Sequence, residues 1–111
     1  MRTRILQNLE FYICEMIWAF AYLHLNNIIH RDIKLQNLMI DAEGHVKVID
    51  LGFAKRVKGR TFTTLGTPSH VAPEVILGKG YSFKADVWSF GILICEFLTG
   101  HSPFHAVEDP I

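Results

Sequence analysis

The residues best suited to chemistry lie in one short stretch, Ile29-His30-Arg31-Asp32-Ile33-Lys34-Leu35-Gln36-Asn37, between two apolar segments. It offers an imidazole, a guanidinium, a carboxylate, an ammonium and an amide in a loop-like interruption. Asp32 and Asn37 are five residues apart, at most about 17 Å of extended chain. One loop could therefore carry a base at one end and a metal ligand at the other.

A hairpin is predicted directly after this loop. Residues 38–40, 41–44 and 45–49 have the pattern of strand, turn and strand, with polar and apolar residues alternating on the return. We expect Ile40 to pair near His45. The return strand would then bring a later segment back beside the loop.

The hairpin predicts that a second carboxylate joins the loop. Asn37 would fall opposite about Val48, and Asp50 would lie two residues further on, within roughly 7–8 Å. The set then comprises a base at Asp32, a cation at Lys34 and an oxygen pair, Asn37 and Asp50, of the kind that suits Mg²⁺. Phosphoryl transfer needs this collection, because its catalysis is mainly positioning and charge neutralisation. Each carboxylate alone would more simply be a solvated or capping group, and only the combination favours catalysis.

Two helices must position these groups. The first is predicted over 5–25, because apolar residues recur at steps of three and four, and Asn26-Asn27 ends it. The second is predicted over 84–99, followed by Gly100. Apolar residues cover almost the whole circumference of the second helix, which predicts a buried central helix, and we expect Trp18 and Trp88 to be core residues.

Composition sets the class of protein. The 111 residues fit one small globular domain, with 50% hydrophobic residues and a formal net charge of zero, which favours neither nucleic acid nor an anionic membrane as partner. Cys14 and Cys95 lie in apolar segments and predict buried free thiols rather than a disulfide. The longest apolar run, 16–23, is too short for a membrane span, and no secretion leader opens the chain. We expect a soluble cytoplasmic protein.

A long irregular segment separates the hairpin from the second helix. It runs from about 53 to 74, is punctuated by Gly and Pro, and has no acidic residue from 51 to 73. Four basic residues make it locally +4: Lys55, Arg56, Lys58 and Arg60. Loops of this length are usually functional or disordered.

The remaining histidines and the glycine-lysine-glycine stretch do not indicate a functional site. The spacing of the remaining histidines does not match a zinc site, so we interpret them as structural or exposed. Gly78-Lys79-Gly80 lacks the third glycine and the strand-to-helix context of a phosphate loop.

The sequence resembles the protein kinases. His30-Arg31-Asp32 with Lys34 and Asn37 is similar to the catalytic loop, Asp50-Leu51-Gly52 to the Asp-Phe-Gly magnesium motif, and Ala72-Pro73-Glu74 to the end of the activation segment. Further matches are Gly66-Thr67-Pro68 and Asp86-Val87-Trp88-Ser89-Phe90-Gly91. Residues 52–61 are most similar to the cyclic-nucleotide-dependent serine/threonine kinases of the AGC group, the cGMP-dependent branch more than the cAMP-dependent one.

The resemblance implies a role for each loop residue. Asp32 would accept the substrate hydroxyl proton, Lys34 would steady the transferred phosphate of ATP, and Asn37 and Asp50 would hold Mg²⁺. Met39 would lie under the adenine ring.

The resemblance also implies substrate contacts. Thr67 would brace the catalytic loop. Gln36 stands where basophilic relatives have a carboxylate that helps recognise substrate arginine. Glu96 matches a second such carboxylate.

Thr63 matches the activation-loop phosphorylation site of the family. A phosphate there would add about −1.5 to −2 charge and could bridge Arg31 and Lys55, ordering a loop that otherwise repels itself. The alternative is a merely solvated basic loop in which Thr61 and Thr64 are bystanders.

The resemblance covers only part of a two-lobed domain. Residues 1–111 correspond to the first part of the mostly helical C-terminal lobe, and we expect the N-terminal lobe and the distal part of the C-terminal lobe to be absent. No arginine follows Arg60 to pair with Glu74, and Leu35-Gln36 and Ser69-His70 depart from the usual residues.

The predicted fold class is mainly α with a small β-hairpin, a partial protein-kinase-like C-lobe. The predicted function is that of a serine/threonine protein kinase fragment, whose family reaction is transfer of the γ-phosphoryl group of ATP to protein. A protein substrate and an upstream activating kinase are the implied partners. The alternative is a catalytically incompetent kinase-derived fragment, acting as a binding module or being a partial gene product.

Overall fold

The computed structural model describes residues 2–63, 70–100 and 103, with side chains from Asn8 onward. Within these residues there are two long helices, one short helix and four short strands. In chain order the elements are α1 (Arg2–Leu25), β1 (Ile28–Ile29), a single 3-10 turn (Leu35–Asn37), β2 (Leu38–Ile40), β3 (Val46–Val48), β4 (Lys55–Arg56), α2 (Pro73–Ile76) and α3 (Lys84–Thr99).

The helix ends confirm the capping signals in the sequence. Asn27 adopts a φ of 60° just past α1, and Gly100 adopts a φ of 87° just past α3. The backbone N–H of Gly100 donates to the carbonyl of Glu96 at 2.8 Å. Both residues tolerate the left-handed conformation that closes a helix.

The main core joins the two helices to the catalytic-loop segment. Met16 and Phe20 of α1 pack with Ile33 of the loop and Leu93 of α3, and each is at most 6% exposed. Leu38 from the hairpin packs against this cluster as a partly buried neighbour. The loop is therefore tied to the core through Ile33, in the middle of its polar residues.

The hairpin forms, but its predicted register is wrong by one residue. Ile40 pairs with Val46 rather than His45. The reason is the turn: the carboxylate of Asp41 accepts hydrogen bonds from the backbone N–H groups of Glu43 and His45 at 2.9 Å each, and the N–H of Asp41 donates to the carbonyl of His45. These bonds draw His45 into the turn.

A second two-stranded sheet was not predicted. β1 pairs with β4 in antiparallel register, Ile28 with Arg56 and Ile29 with Lys55. A further bridge joins Thr61 to Tyr81. The fold class is thus mainly α with two small antiparallel sheets, and part of the basic segment is ordered along the catalytic loop.

The expected burial of both tryptophans is wrong. Trp18 is 79% exposed and Trp88 is 39% exposed. α3 buries Ile92 and Leu93 but leaves Leu98 60% exposed, so the prediction of a helix buried on all sides is also wrong for one face. That face has too few neighbours in the described ranges to be covered.

The predictions about the two cysteines and about membrane spans can be compared with the structure. Both cysteines are free, as predicted, but Cys14 is exposed rather than buried. Within the described ranges, no helix combines the length and apolar character needed to cross a lipid bilayer.

The core makes a quantitative prediction for α3. Leu93→Ala should lower the free energy of unfolding by about 2–5 kcal/mol, because Leu93 is 0% exposed and its removal leaves a cavity. Leu98→Ala, the same change on the exposed face of the same helix, should cost less than about 1 kcal/mol. Urea denaturation of both variants measures the difference, and equal losses would contradict the assignment of the core.

The turn makes a prediction about pH. Hydrogen bonds from the backbone N–H groups, that of His45 foremost, lower the pKa of the Asp41 carboxyl below its ordinary value of 3.8. A depressed pKa means that the turn is stabilised above pH 3.8 and loses this stabilisation as the pH falls through the folded-state pKa. An NMR titration should show the amide resonances of Glu43 and His45 moving together below that pH. Asp41→Asn should abolish that transition, and its persistence would contradict the assignment.

Candidate active site

One buried carboxylate attaches the catalytic loop to α3. Asp86 lies in the first turn of α3 and is 1% exposed. Its Oδ2 accepts the backbone N–H of His30 at 2.8 Å, and its Oδ1 accepts the backbone N–H of Arg31 at 3.0 Å. His24 Nε2, from the end of α1, lies 2.8 Å from Oδ2. These contacts fix the backbone where Arg31 adopts a left-handed φ of 73°.

His30 connects the loop to the end of the hairpin. Its side chain is fully buried, and its Nδ1 accepts the backbone N–H of Asp32 at 3.1 Å. Because Nδ1 accepts, Nε2 is the nitrogen available to donate, and it faces the carbonyl of Ile49 at 3.4 Å. The ring also meets Phe20 edge to face, with centroids 6.2 Å apart.

The predicted base, cation and amide do converge. Asn37 Nδ2 donates to the backbone carbonyl of Asp32 at 2.6 Å and to its Oδ2 at 3.1 Å. Lys34 Nζ lies 3.5 Å from the same Oδ2. Asp32 is 9% exposed and Asn37 is 5% exposed, so the carboxylate is held by partners rather than by bulk water. This is an oriented carboxylate beside a partly exposed ammonium group.

Asp50 directly follows Ile49, the residue just past β3 that is hydrogen bonded to Asn37. The backbone N–H of Ile49 donates to the carbonyl of Asn37 at 2.8 Å, so the register is one residue closer to Asp50 than predicted. Asp50 itself is exposed and has a left-handed φ of 56°. Its Oδ1 accepts the N–H of Gly52 at 3.2 Å, and a Cβ at Gly52 would come within 3.0 Å of that oxygen. The absence of a side chain at Gly52 thus leaves room for the Asp50 carboxylate.

The groups expected around a phosphothreonine are only partly assembled. Arg31 Nε donates to the carbonyl of Phe53 at 2.6 Å, while its Nη1 is buried and has no hydrogen-bond partner in the described part of the chain. Lys55 Nζ contacts the hydroxyl of Thr61 at 3.2 Å. Thr63 is exposed, and its backbone carbonyl accepts a hydrogen bond from the hydroxyl of Tyr81.

The remaining predicted residues are dispersed. Met39 is 57% exposed on β2, beside an apolar cavity of about 160 Å³ that it helps to line. Gln36 is exposed, and Glu96 is half-buried on α3 against His70. Thr67 lies outside the described residues.

Sequence reasoning missed the structural role of Asp86 and His24. Asp86 belongs to a quoted motif, but an acidic residue in a first helical turn is favourable in any case and does not reveal its partners. His24 sits at the end of α1 without any spacing signal. A carboxylate in a mostly apolar helix was the available sign in the sequence.

Comparison with known proteins identifies the family. The sequence model of the protein kinase domain matches residues 4–110. The chain is 50% identical over 95 residues to a cGMP-dependent protein kinase of Toxoplasma gondii, covering 86% of this chain and 10% of the relative. It is 51% identical over 96 residues to a cAMP-dependent protein kinase catalytic subunit of Dictyostelium discoideum, covering 86% and 15%. It is 54% identical over 92 residues to the human cGMP-dependent protein kinase 2, covering 81% and 12%.

The comparisons confirm the family resemblance seen in the sequence. The chain spans only 10–15% of the length of these three relatives. The match nevertheless covers the catalytic loop, the hairpin and both long helices. The chain belongs to the protein kinase domain family, as a fragment similar to the cyclic-nucleotide-dependent serine/threonine kinases of the AGC group.

Proposed function

We propose that these residues supply the catalytic loop of a serine/threonine protein kinase that transfers the γ-phosphoryl group of ATP to a protein hydroxyl. The observation that carries the proposal is the cluster at Asp32, with Asn37 Nδ2 at 3.1 Å and Lys34 Nζ at 3.5 Å from its Oδ2. It brings a base, a cation and an amide to one point.

Asp32 is proposed as the base. The bond from Asn37 orients the carboxylate, and the bond from its own N–H to His30 fixes the backbone on the other side. A positioned carboxylate can accept the proton of a substrate hydroxyl as the oxygen attacks phosphorus. Lys34, 27% exposed, can leave Asp32 to contact a phosphate oxygen.

The donor set fits a magnesium ion. Asn37 uses its amide nitrogen toward Asp32, which turns its carbonyl oxygen into the ligating atom, and Asp50 offers an exposed carboxylate one residue past the ladder. A hard divalent ion takes a few such oxygens and completes its shell with water and phosphate. When bound, Mg²⁺ would neutralise the phosphate charge that develops during transfer.

Met39 is proposed to contact the adenine ring. It is exposed beside an apolar cavity that also involves Leu38 and Ile40. A flat aromatic base favours such a surface, since burial of apolar area is the main attraction. Glu96, Gln36 and Thr67 are proposed as substrate contacts, on the basis of the family resemblance.

Thr63 is proposed as the activating phosphorylation site, and an upstream kinase would transfer the phosphate to it. Arg31 Nη1, buried without a partner in the described residues, is a donor that a phosphate oxygen could satisfy. Lys55 carries a second positive charge on β4, next to the loop that bears Arg31. We also propose the cytoplasm as the site of action, which the two free thiols support.

A second candidate function is a binding module without catalysis. It is favoured by the small share of each relative that the chain spans, 10% in the first case. Isothermal titration of the 111-residue chain with ATP and Mg²⁺ separates the two. Micromolar binding supports the enzyme, whereas no ATP binding together with capture of a substrate peptide supports the module.

If Asp32 is the base, its replacement should slow the reaction. Asp32→Asn in the whole kinase should lower kcat by about 10²–10⁴-fold while the KM for ATP changes little, because proton acceptance is removed but binding is retained. Asp41→Asn, the same change in the exposed hairpin turn, should leave kcat within about twofold. Steady-state kinetics decide, and an unchanged kcat for Asp32→Asn would refute the proposed base.

The magnesium ligands make a different prediction. Asp50→Asn should raise the Mg²⁺ concentration needed for half-maximal rate by at least about tenfold, because an anionic ligand becomes neutral. Glu43→Gln, at an exposed carboxylate in the turn, should not shift it. A magnesium titration at saturating ATP gives the comparison, and equal midpoints would exclude Asp50 as a ligand.

The phosphorylation site makes a third prediction. Thr63→Ala should lower activity of the whole kinase by about tenfold or more, because the charge that orders the basic segment is lost. Thr64→Ala serves as the control and should remain active. Activity after treatment with the upstream kinase is the measurement, and loss only in Thr64→Ala would move the site to the neighbouring residue.

A further inference from the structure

His70 and Glu96, the latter on α3, form a half-buried pair. His70 Nε2 is hydrogen bonded to Oε1 of Glu96, and the two side chains are 9% and 19% exposed. The backbone carbonyl of His70 accepts the hydroxyl of Ser89, from the same helix, at 2.5 Å. His70 is therefore held at its backbone by α3 while its ring is directed at the carboxylate of Glu96.

The other charged groups near His70 have described contacts of their own, although Nη1 of Arg31 has no hydrogen-bond partner in the described residues. The small cavity that His70 lines is shared with Arg31, Asp32 and Asp86, and with the phenol of Tyr81. Asp86 binds two backbone N–H groups, Asp32 faces Lys34, and Arg31 donates to a carbonyl. In the described part of the chain, the direct ionisable partner of Glu96 is thus His70.

The charge of Glu96 matters more here because position 36 is neutral. Gln36 is exposed and carries no charge, so it gives a substrate guanidinium no anion to pair with. If both positions face basic substrate residues, the electrostatic attraction depends on Glu96. Whatever neutralises Glu96 then weakens the recognition of arginine in the substrate.

We propose that His70 is a specificity-determining residue that sets the effective charge of Glu96 toward basic substrates. This rests on the proposed role of Glu96 as a substrate contact. With a neutral imidazole, Nε2–H donates to Oε1 and the pair keeps one negative charge for a guanidinium. With an imidazolium, the pair has no net charge, and a substrate arginine must compete with a cation already in place.

The effect acts on substrate selection rather than on the chemical step. His70 contacts Glu96 and α3, whereas the base proposed for the chemical step is Asp32. Lowering the pH should therefore reduce the advantage of arginine over a neutral isostere. A merely structural histidine would affect both substrates alike.

The experiment compares two peptides with the whole kinase. One contains arginine N-terminal to the phosphorylated serine, and the other has citrulline, which keeps the shape but not the charge. The ratio of their kcat/KM values is measured from about pH 8 to about pH 6, the interval in which histidine side chains generally change charge. The ratio should fall about tenfold or more in the wild type, as expected when a charge-assisted bond is lost.

Three variants separate the possible causes. His70→Gln, which can still donate a hydrogen bond, should keep a high and pH-independent ratio. His45→Gln removes an exposed histidine paired with Glu15 and should behave as the wild type. Glu96→Gln should abolish the preference for arginine at every pH.

The outcomes are distinct. A flat ratio in the wild type, or an equal fall in His70→Gln, overturns the role of His70 while leaving Glu96 as a substrate contact. Retention of the arginine preference in Glu96→Gln removes the proposed function of Glu96, and the inference with it. A fall that disappears only when His70 or Glu96 is changed supports the inference.

Discussion

The carboxylate of Asp86 is the contact on which the catalytic loop depends. It is 1% exposed, and a charge so buried is stable only with close partners. Each backbone hydrogen bond to a charged group contributes about 1.5–3 kcal/mol. Two of them come from His30 and Arg31, whereas the left-handed backbone of Arg31 costs about 1–2 kcal/mol. The bonds outweigh the strain, so the unusual turn that precedes Asp32 is retained.

Ile49 joins the two halves of the site. Its N–H is bound to the carbonyl of Asn37 and its carbonyl faces the ring of His30, so both of its backbone polar groups point to the catalytic loop. The next residue, Asp50, leaves the ladder through a left-handed φ of 56°. The carboxylate of Asp50 therefore directly follows Ile49, the residue that is hydrogen bonded to Asn37. The same loop is also attached to the hydrophobic core, because Ile33 packs in the cluster with Met16 and Leu93.

The sequence predicted those features that have a strong local cause. Both long helices were predicted because apolar spacing and caps agree, and Asn27 and Gly100 adopt the expected backbone. The register of the hairpin was wrong because Asp41 binds two backbone N–H groups in the turn, an effect that alternation of apolar residues does not report. The β1–β4 sheet was missed because strands of two residues have no period.

Prediction of the site succeeded for residues that are close in sequence and failed for contacts between distant residues. Asp32, Lys34 and Asn37 were found because they lie close in sequence, where residue type alone is informative. The partners of Asp86 and Glu96 lie 26 to 62 residues away, and neither helical spacing nor charge pattern indicates them. The exposure of Trp18 was misjudged because an apolar side chain predicts only that burial would be favourable. Burial itself depends on what is packed against it.

Exposure divides the site into a fixed part and an adaptable part. Asp32, Asn37 and His30 are at most 9% exposed and bound to one another, so their geometry is set by the fold before any substrate arrives. Asp50 and Met39 are exposed. Met39 is proposed to meet the nucleotide, and Asp50 is proposed to hold the metal together with the buried Asn37. Fixed geometry contributes most to catalysis at groups that face the charge developing in the transition state. Groups that only bind a ligand can adjust to it. The proposed base, Asp32, is therefore the group whose geometry this chain defines most closely.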